Sequence, residues 1–231
     1  MKKIFLSLAM LAGLVGSASA QVTSLSDEEY AYVTMDLQGI LNLTMTTDPN
    51  VNFTFKSIQD YKNGITKFNA TKLEVDATVA WDLFAYAKDD LWTSVETYSS
   101  TGTPLLPAEI LQMQSTNDNA SSTPIVDANF DNFVSLRGPS LSGVSNGLPD
   151  PVKTQFLAGK VGTSLGESYS PGTASSNPST HQFRIDYRLH PGIPATFSTN
   201  TVLNGGTLPS PGFAQAGYYY LEVVYALVED L

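Results

Sequence analysis

The amino-acid sequence predicts an all-β protein built as an antiparallel β-sandwich. Residues 73–86 carry an apolar side chain at every odd position, from Leu73 through Trp81 to Ala85. Side chains alternate between the two faces of a strand, so this pattern predicts a strand with one buried face. Further alternating segments follow at short spacing with turn residues between them, which favours a sandwich over an α/β fold.

Strands are predicted in chain order wherever this alternation recurs. The predicted strands cover residues 40–45, 51–55, 65–68, 73–86, 125–136, 154–161, 182–190 and 218–228. The fourth is longer than the usual strand of about 3–10 residues. We therefore expect a bulge or bend within it, near Val79 and Ala80.

Two local signals predict the connections between strands. The dipeptide Asn63-Gly64 is the strongest two-residue hairpin signal, so we expect a tight turn directly before the strand at 65–68. Residues 107–114 predict a short helix, since proline is well placed in a first helical turn.

A long polar stretch interrupts the pattern of strands. Residues 99–180 are rich in Ser, Thr, Asn, Gly and Pro. Because a structureless connection of that length would be exceptional in a compact domain, we interpret it as an insertion with its own strands. The insertion is expected to be held on a single sandwich domain that spans residues 21–231. A flexible linker between two domains is the alternative, but few strands follow it.

The first twenty residues predict export of the chain. Lys2 and Lys3 precede an apolar run at residues 4–15, and Ala18-Ser19-Ala20 has the small residues of a cleavage site. This is the pattern of a signal peptide cleaved after Ala20. The apolar run is shorter than the roughly 20 residues needed to span a bilayer, so no transmembrane segment is expected in the mature chain. The sequence has no cysteine, which excludes a disulfide framework and a lipoprotein anchor.

The negative charge of the chain argues against nucleic acid as a partner. The formal net charge is −10, and it becomes −12 when Lys2 and Lys3 are removed with the signal peptide. Binding to nucleic acid requires clustered cations that displace counterions from phosphates. The lysines and arginines are scattered here, so a nucleic-acid partner is not expected.

The sequence offers no recognisable catalytic pattern. It contains two histidines and no cysteine, and its serines form no Gly-x-Ser-x-Gly elbow. Acidic residues alternate along strands or lie in loops rather than forming an evident catalytic pair. The chain is therefore predicted not to be an enzyme and to need no cofactor. A secreted carbohydrate-active enzyme remains the least favoured alternative.

One segment has the oxygen-ligand spacing of a calcium loop. Asp127, Asn129 and Asp131 stand at alternate positions. Calcium loops have glycine at the sixth position and glutamate at the twelfth, where this chain has Asn132 and Gly138. An ordinary polar strand is the favoured interpretation, so these three residues are a weak candidate and no metal is predicted.

Two segments resemble the motifs of a known family. Trp81-Asp82-Leu83 closes the alternating strand, and Tyr219, Val223, Tyr225 and Leu227 share one face of the last strand. Together they resemble the WxL domain of bacterial cell-surface proteins. Trp81 and Leu83 match its Trp-x-Leu motif, and the last strand matches its tyrosine-led motif, with Tyr225 where that family has tryptophan. The resemblance implies an immunoglobulin-like sandwich attached non-covalently to the bacterial envelope, with peptidoglycan as its ligand.

Packing accounts for most of these motif residues without a ligand. Trp81, Leu83, Val223, Tyr225 and Leu227 fall on the apolar faces of their strands, so we expect them in the core together with Tyr219. Tyr218, Tyr219 and Tyr220 are consecutive, which forces at least one ring outward. Exposed tyrosine rings are common platforms for sugars and protein partners, so Tyr218 and Tyr220 are the predicted binding residues.

These observations favour a structural or binding protein secreted to the bacterial cell surface. The expected partners are envelope polysaccharide or peptidoglycan, or neighbouring surface-protein subunits. The alternative is a pilin-like fimbrial subunit, whose C-terminal strand would lie at a sheet edge and assemble with another copy by strand addition.

Overall fold

Antiparallel strands make up nearly all regular structure in the computed structural model of the chain. It describes residues 34–102, 104–117, 130, 132–139, 155–159, 169–191, 202–203, 206–207 and 214–230. The predicted signal peptide lies outside the described residues. The chain divides into two units, residues 1–37 and 38–231, and the sheets described below belong to the second.

The strands of this second unit form two main sheets and two small ribbons. In chain order they are β1 (Leu41–Met45), β2 (Ile65–Ala77), β3 (Trp81–Ala87), β4 (Thr93–Thr97), β5 (Leu111–Asn117), β6 (Val134–Ser135), β7 (Gln155–Ala158), β8 (Gly172–Thr173), β9 (Gln182–Leu189), β10 (Val202–Leu203), β11 (Gly206–Thr207), β12 (Gly217–Tyr220) and β13 (Val223–Glu229). The first sheet has the order β1-β2-β9-β5-β6, with β8 also paired to β2, and the second has the order β13-β3-β7. The ribbons are β4–β12 and β10–β11.

The inward faces of the two main sheets share one hydrophobic core. Phe183, Ile185 and Leu189 of the first sheet are buried in the same cluster as Leu83 and Leu157 of the second. All the strand pairs are antiparallel. The predicted all-β antiparallel sandwich is therefore confirmed, while its immunoglobulin-like type stays a prediction.

The long alternating segment crosses from one sheet to the other. It ends β2 at Ala77 and resumes as β3 at Trp81, so the predicted bend near Val79 and Ala80 is confirmed. Three residues lie between the strands, and the side chains that both β2 and β3 bury in the shared core are the odd-numbered ones. Strand β3 is buried throughout, including Asp82. Because alternation predicts one buried face at the odd positions, Asp82 is expected on the opposite, solvated face, and that expectation is wrong.

The described parts of residues 99–180 supply strands to both sheets. Strand β5 pairs with β9 in the first sheet, and β7 pairs with β3 in the second. Leu111, Met113 and Leu157 from these strands are buried in the shared core. These strands are therefore integral to the sandwich rather than additions held on it.

A capped helix stands where the sequence predicted a hairpin turn. Helix α1 (Ile58–Asn63) begins at a capping box: the Ser57 hydroxyl accepts from the Asp60 amide, and the Asp60 carboxylate accepts from the Ser57 amide at 2.8 Å. Hydrogen bonds from the Lys56 and Ser57 amides lower the pKa of Asp60. Gly64 ends the helix at φ 71°. The hairpin prediction was wrong because the Asn-Gly pair here forms a helix end.

Three further predictions of secondary structure were wrong in part or in full. Residues 107–114 form a single 3₁₀ turn at Ala108–Ile110 followed by β5, not a helix. Residues 51–55 are extended but join no sheet. The strand predicted at 218–228 is interrupted at Leu221 and Glu222, so that β12 pairs with β4 and β13 with β3. The short helix α2 (Pro178–His181) precedes β9.

The end of α1 provides a test of the local backbone. Gly64 has φ 71° and ψ 177°, a region open essentially to glycine, and a Cβ there would overlap the carbonyl oxygen of Leu189. We expect Gly64→Ala to lower the free energy of unfolding by about 1–3 kcal/mol or more. Urea denaturation measures this loss. Gly102→Ala is the control, since Gly102 is exposed and also has a positive φ; equal losses at both positions would contradict the clash with Leu189.

Candidate functional site

A cavity of about 560 Å³ opens at the side of the sandwich where β1 and β13, the edge strands of the two sheets, lie near each other. This volume lies within the range of ligand pockets, about 300–1,000 Å³. Aromatic side chains contribute much of its lining: Phe53, Phe55, Tyr61, Trp92, Tyr187 and Tyr219. Such a lining favours apolar side chains or flat rings as occupants.

Three hydroxyl groups from three strands meet at the cavity. The Thr71 hydroxyl of β2 lies 3.3 Å from the Tyr187 hydroxyl of β9, which is also hydrogen-bonded to the Tyr225 hydroxyl of β13. Burial raises the pKa of the Tyr187 phenol, and burial together with the neighbouring Tyr187 raises the pKa of Tyr225 well above its usual value. Both phenols therefore stay protonated at neutral pH, and they link the two sheets through hydrogen bonds.

This linkage predicts a loss of stability in alkali. The unfolded chain releases the Tyr225 proton near pH 10, whereas the folded chain holds it to higher pH. Stability from this group is thus fully present below about pH 10 and falls as the pH rises above that value. Phenylalanine has no proton to release. In Tyr225→Phe we therefore expect the free energy of unfolding to fall less steeply with pH, by up to about 1.4 kcal/mol per pH unit. Urea denaturation at a series of pH values from neutral to alkaline measures how steeply the free energy of unfolding falls. An equally steep fall in the variant would contradict the raised pKa of Tyr225.

One wall of the cavity is an extended segment that joins no sheet. In this extended wall, residues 51–55, the side chains of Val51, Phe53 and Phe55 pack against the core while the residues between them are exposed. The Phe55 ring lies 4.7 Å from the ring of Tyr61. Within the part of the chain that the structure describes, the wall's backbone makes no hydrogen bond. It therefore has the side-chain pattern of a strand without a partner.

The facing wall is β13, one edge of which is open. Lys88 donates to the Glu222 carbonyl and Asp230 to the Ala80 carbonyl, so the even-numbered residues of β13 are hydrogen-bonded to β3. In an antiparallel pair the alternate residues direct their N–H and C=O groups to the opposite side. Val223, Tyr225 and Leu227 therefore direct theirs away from β3. No strand pairs with that side among the described residues.

The tyrosines of β12 border the same cavity. Tyr218 and Tyr220 are 53% and 45% exposed, while Tyr219 between them packs against the core and donates from its hydroxyl to the Gln215 carbonyl at 2.7 Å. All three line the cavity. The two predicted binding residues thus lie on an accessible face, next to a cavity that sequence analysis did not predict.

The remaining motif residues serve packing. Trp81 and Leu83 are fully buried, and Val223, Tyr225 and Leu227 are partly buried against the core. The Trp81 ring stacks on Tyr169 with ring centroids 4.9 Å apart, and its indole N–H donates to the Ser170 carbonyl at 3.1 Å. Neither Trp81 nor Leu83 lines the cavity.

His181 was missed as a core residue by the sequence interpretation. It is buried, its ring centroid lies 5.5 Å from that of Trp81, and its Nδ1 lies 2.6 Å from the Thr180 hydroxyl. A Cβ at Gly172 would press on the imidazole, so glycine there gives the ring its space. His181 thus completes the packing around Trp81.

Among the described residues, no group of three or more His, Cys, Asp or Glu side chains is placed to hold a metal. Asp127, Asn129 and Asp131, the weak calcium candidate, lie outside the described residues. The helices that the structure describes are too short and too polar to cross a membrane.

Thr71 and Tyr187 are two of the cavity residues that sequence reasoning did not identify. Tyr187 carries the single hydroxyl among the inward residues Phe183, Ile185, Tyr187 and Leu189, which is a usable signal. Nothing in the sequence near Thr71 marks it, because its hydrogen-bond partner Tyr187 is 116 residues away along the chain.

No protein-family model matches this chain, and no curated protein sequence matches it. The resemblance to the WxL domain therefore stays a hypothesis carried by the motif residues alone.

Proposed function

We propose that this chain is an exported structural protein of the bacterial surface, which attaches non-covalently to neighbouring subunits through the open side of its sandwich. The observation that carries the proposal is the open edge of β13 beside an apolar cavity. An open strand edge is a template for pairing with another chain, and a neighbouring cavity can take up the alternate side chains of that chain.

The chemistry of the cavity supports binding rather than catalysis. The hydroxyl groups that meet at its centre belong to Thr71 and to Tyr187 and Tyr225, two phenols whose raised pKa values make them poor bases at neutral pH. Glu222, the carboxylate among the described lining residues, is paired with Lys88. A site of this kind recognises a partner by shape and hydrogen bonds. The secreted carbohydrate-active enzyme of the sequence analysis receives no support from this cavity.

Envelope polysaccharide or peptidoglycan is a second candidate partner. The exposed rings of Tyr218 and Tyr220 on β12 favour it, since flat aromatic surfaces with hydroxyl groups bind sugar rings. This candidate also agrees with the resemblance to the WxL domain. The two candidates differ in whether the purified chain associates with itself.

Sizing and pelleting experiments on the mature chain, beginning at Gln21, separate the candidates. Light scattering across a concentration series and electron microscopy are expected to show oligomers or filaments that increase with concentration. Pelleting with purified peptidoglycan and envelope polysaccharide tests the second candidate. In that assay Tyr218→Ser/Tyr220→Ser is expected to reduce retention, whereas Phe68→Ser, an exposed aromatic away from the cavity, is the control. A chain that stays monomeric and binds neither polymer would overturn attachment altogether.

A further inference from the structure

The segment that precedes β1 has the features of an added strand. In this donor segment, residues 34–40, Met35 and Leu37 are 77% and 83% exposed. They alternate with the polar residues Thr34, Asp36 and Gln38. The segment itself lies in no helix or strand, although both apolar side chains have the period-two spacing of a strand face. Met35 and Leu37 therefore form an exposed apolar pair on one face, which a partner chain can bury.

The open edge of β13 offers the complementary surface. Six residues of the donor segment precede Ile40 and β13 (Val223–Glu229) has seven, so an extended donor can pair along most of the edge. Among the described residues, the outward N–H and C=O groups of Val223, Tyr225 and Leu227 pair with no strand, so a new strand can bond to them. The aromatic cavity beside them can receive side chains of the size of Met35 and Leu37.

The exposed side chains of the donor segment indicate that it binds a second copy of the chain. Met35 and Leu37 remain exposed in the single chain. The segment ends at Ile40, which is hydrogen-bonded to its own chain. The Ile40 amide donates to the Thr78 hydroxyl at 2.8 Å, and its carbonyl accepts from the Thr78 amide at 2.9 Å. Because Met35 and Leu37 are not buried within the single chain, another molecule can bury them.

We propose that the donor segment of one copy adds as a strand to β13 of a second copy, with Met35 and Leu37 buried in the second copy's cavity. This inference rests on the proposed attachment function and names the partner as the chain itself. Because each copy carries both a donor and an acceptor, the contact is head-to-tail, and it produces a chain of copies unless it closes into a ring.

Introduced cysteines test the contact directly, because the natural sequence has none. Full-length mature chains carrying Leu37→Cys are mixed with chains carrying Val223→Cys under mild oxidation. A disulfide-linked dimer of the two variants is expected. Thr34→Cys replaces Leu37→Cys as the control, since position 34 lies on the other face of the donor segment. Equal cross-linking of both donors, or a link formed only within one chain when both cysteines are placed in it, would overturn the proposal.

Charge substitutions test the energetics of the same contact. Met35→Asp/Leu37→Asp is expected to raise the concentration for half-association at least about tenfold, a change that requires about 1.4 kcal/mol. Thr34→Asp/Gln38→Asp adds the same two charges on the other face and is expected to have a much smaller effect. Undiminished assembly of the first variant would overturn this inference and leave the attachment function standing. A monomer that binds peptidoglycan would overturn both this inference and the subunit function.

Discussion

Replacing Trp81 with alanine is expected to lower the free energy of unfolding by about 3–5 kcal/mol, the usual cost of truncating a buried tryptophan. Trp81 is fully buried, stacks on Tyr169, and donates its indole N–H to the Ser170 carbonyl. The substitution removes all of these contacts and leaves a void, because close-packed neighbours collapse only in part.

Urea denaturation followed by circular dichroism measures the loss. Trp81→Phe keeps a ring in the stack but loses the hydrogen bond, so we expect an intermediate loss, and this variant provides a value if Trp81→Ala does not fold. Trp92→Ala is the matched control, since Trp92 is only partly buried at the wall of the cavity. Equal losses at the two tryptophans would contradict the central role of Trp81 in the core.

Truncation of Phe183 is the second large effect. Phe183 lies on β9 of the first sheet, and its ring meets Trp81 of the second sheet edge-on, with centroids 6.3 Å apart. We expect Phe183→Ala to cost about 3–5 kcal/mol, for the same reasons of lost contact and cavity. Partly buried Phe55, whose ring contacts Tyr61 at the cavity, provides a control with a smaller expected loss on truncation.

A double-mutant cycle separates the direct contact from the general loss of packing. Edge-to-face aromatic pairs contribute about 0.5–1.5 kcal/mol beyond burial. Trp81→Leu/Phe183→Leu, measured with both single variants, should therefore show non-additivity of that order. Fully additive losses would mean that the two rings stabilise the sandwich independently rather than by holding its sheets together.

Alternation along the chain was sufficient to predict the principal strands. It predicted β1, the two halves of the long segment and β9, together with the inward residues Trp81 and Leu83. Alternation is a sufficient signal because a strand with one buried face needs an apolar side chain at every second position, and a short segment shows this by itself. The bend between β2 and β3 also followed from the excessive length of one strand.

Local signals failed where two of them competed. Asn63-Gly64 indicated a hairpin, yet Ser57 and Asp60 stand at capping-box spacing just before it, and the helix formed. Likewise, residues 51–55 alternate as a strand does, but whether a strand finds a partner depends on distant parts of the chain. Alternation predicts which side chains are buried and does not predict pairing.

The cavity was beyond the reach of sequence reasoning for the same reason. Its hydroxyl cluster brings together Thr71, Tyr187 and Tyr225, which lie on three strands in two sheets. Such convergence depends on strand order and register, and neither can be read from one segment. Tyr218 and Tyr220 were identified because three consecutive tyrosines must place some rings outward whatever the fold.

The positions of the two tryptophans give the protein a pair of separate optical reporters. Trp81 is enclosed by Tyr169, His181 and Phe183, so its fluorescence changes when the core is exposed to water. Trp92 lines the cavity, so its emission responds to whatever enters there. The sequence contains no other tryptophan. A spectrum recorded with Trp81→Phe therefore follows occupancy of the cavity, and one recorded with Trp92→Phe follows the integrity of the sandwich.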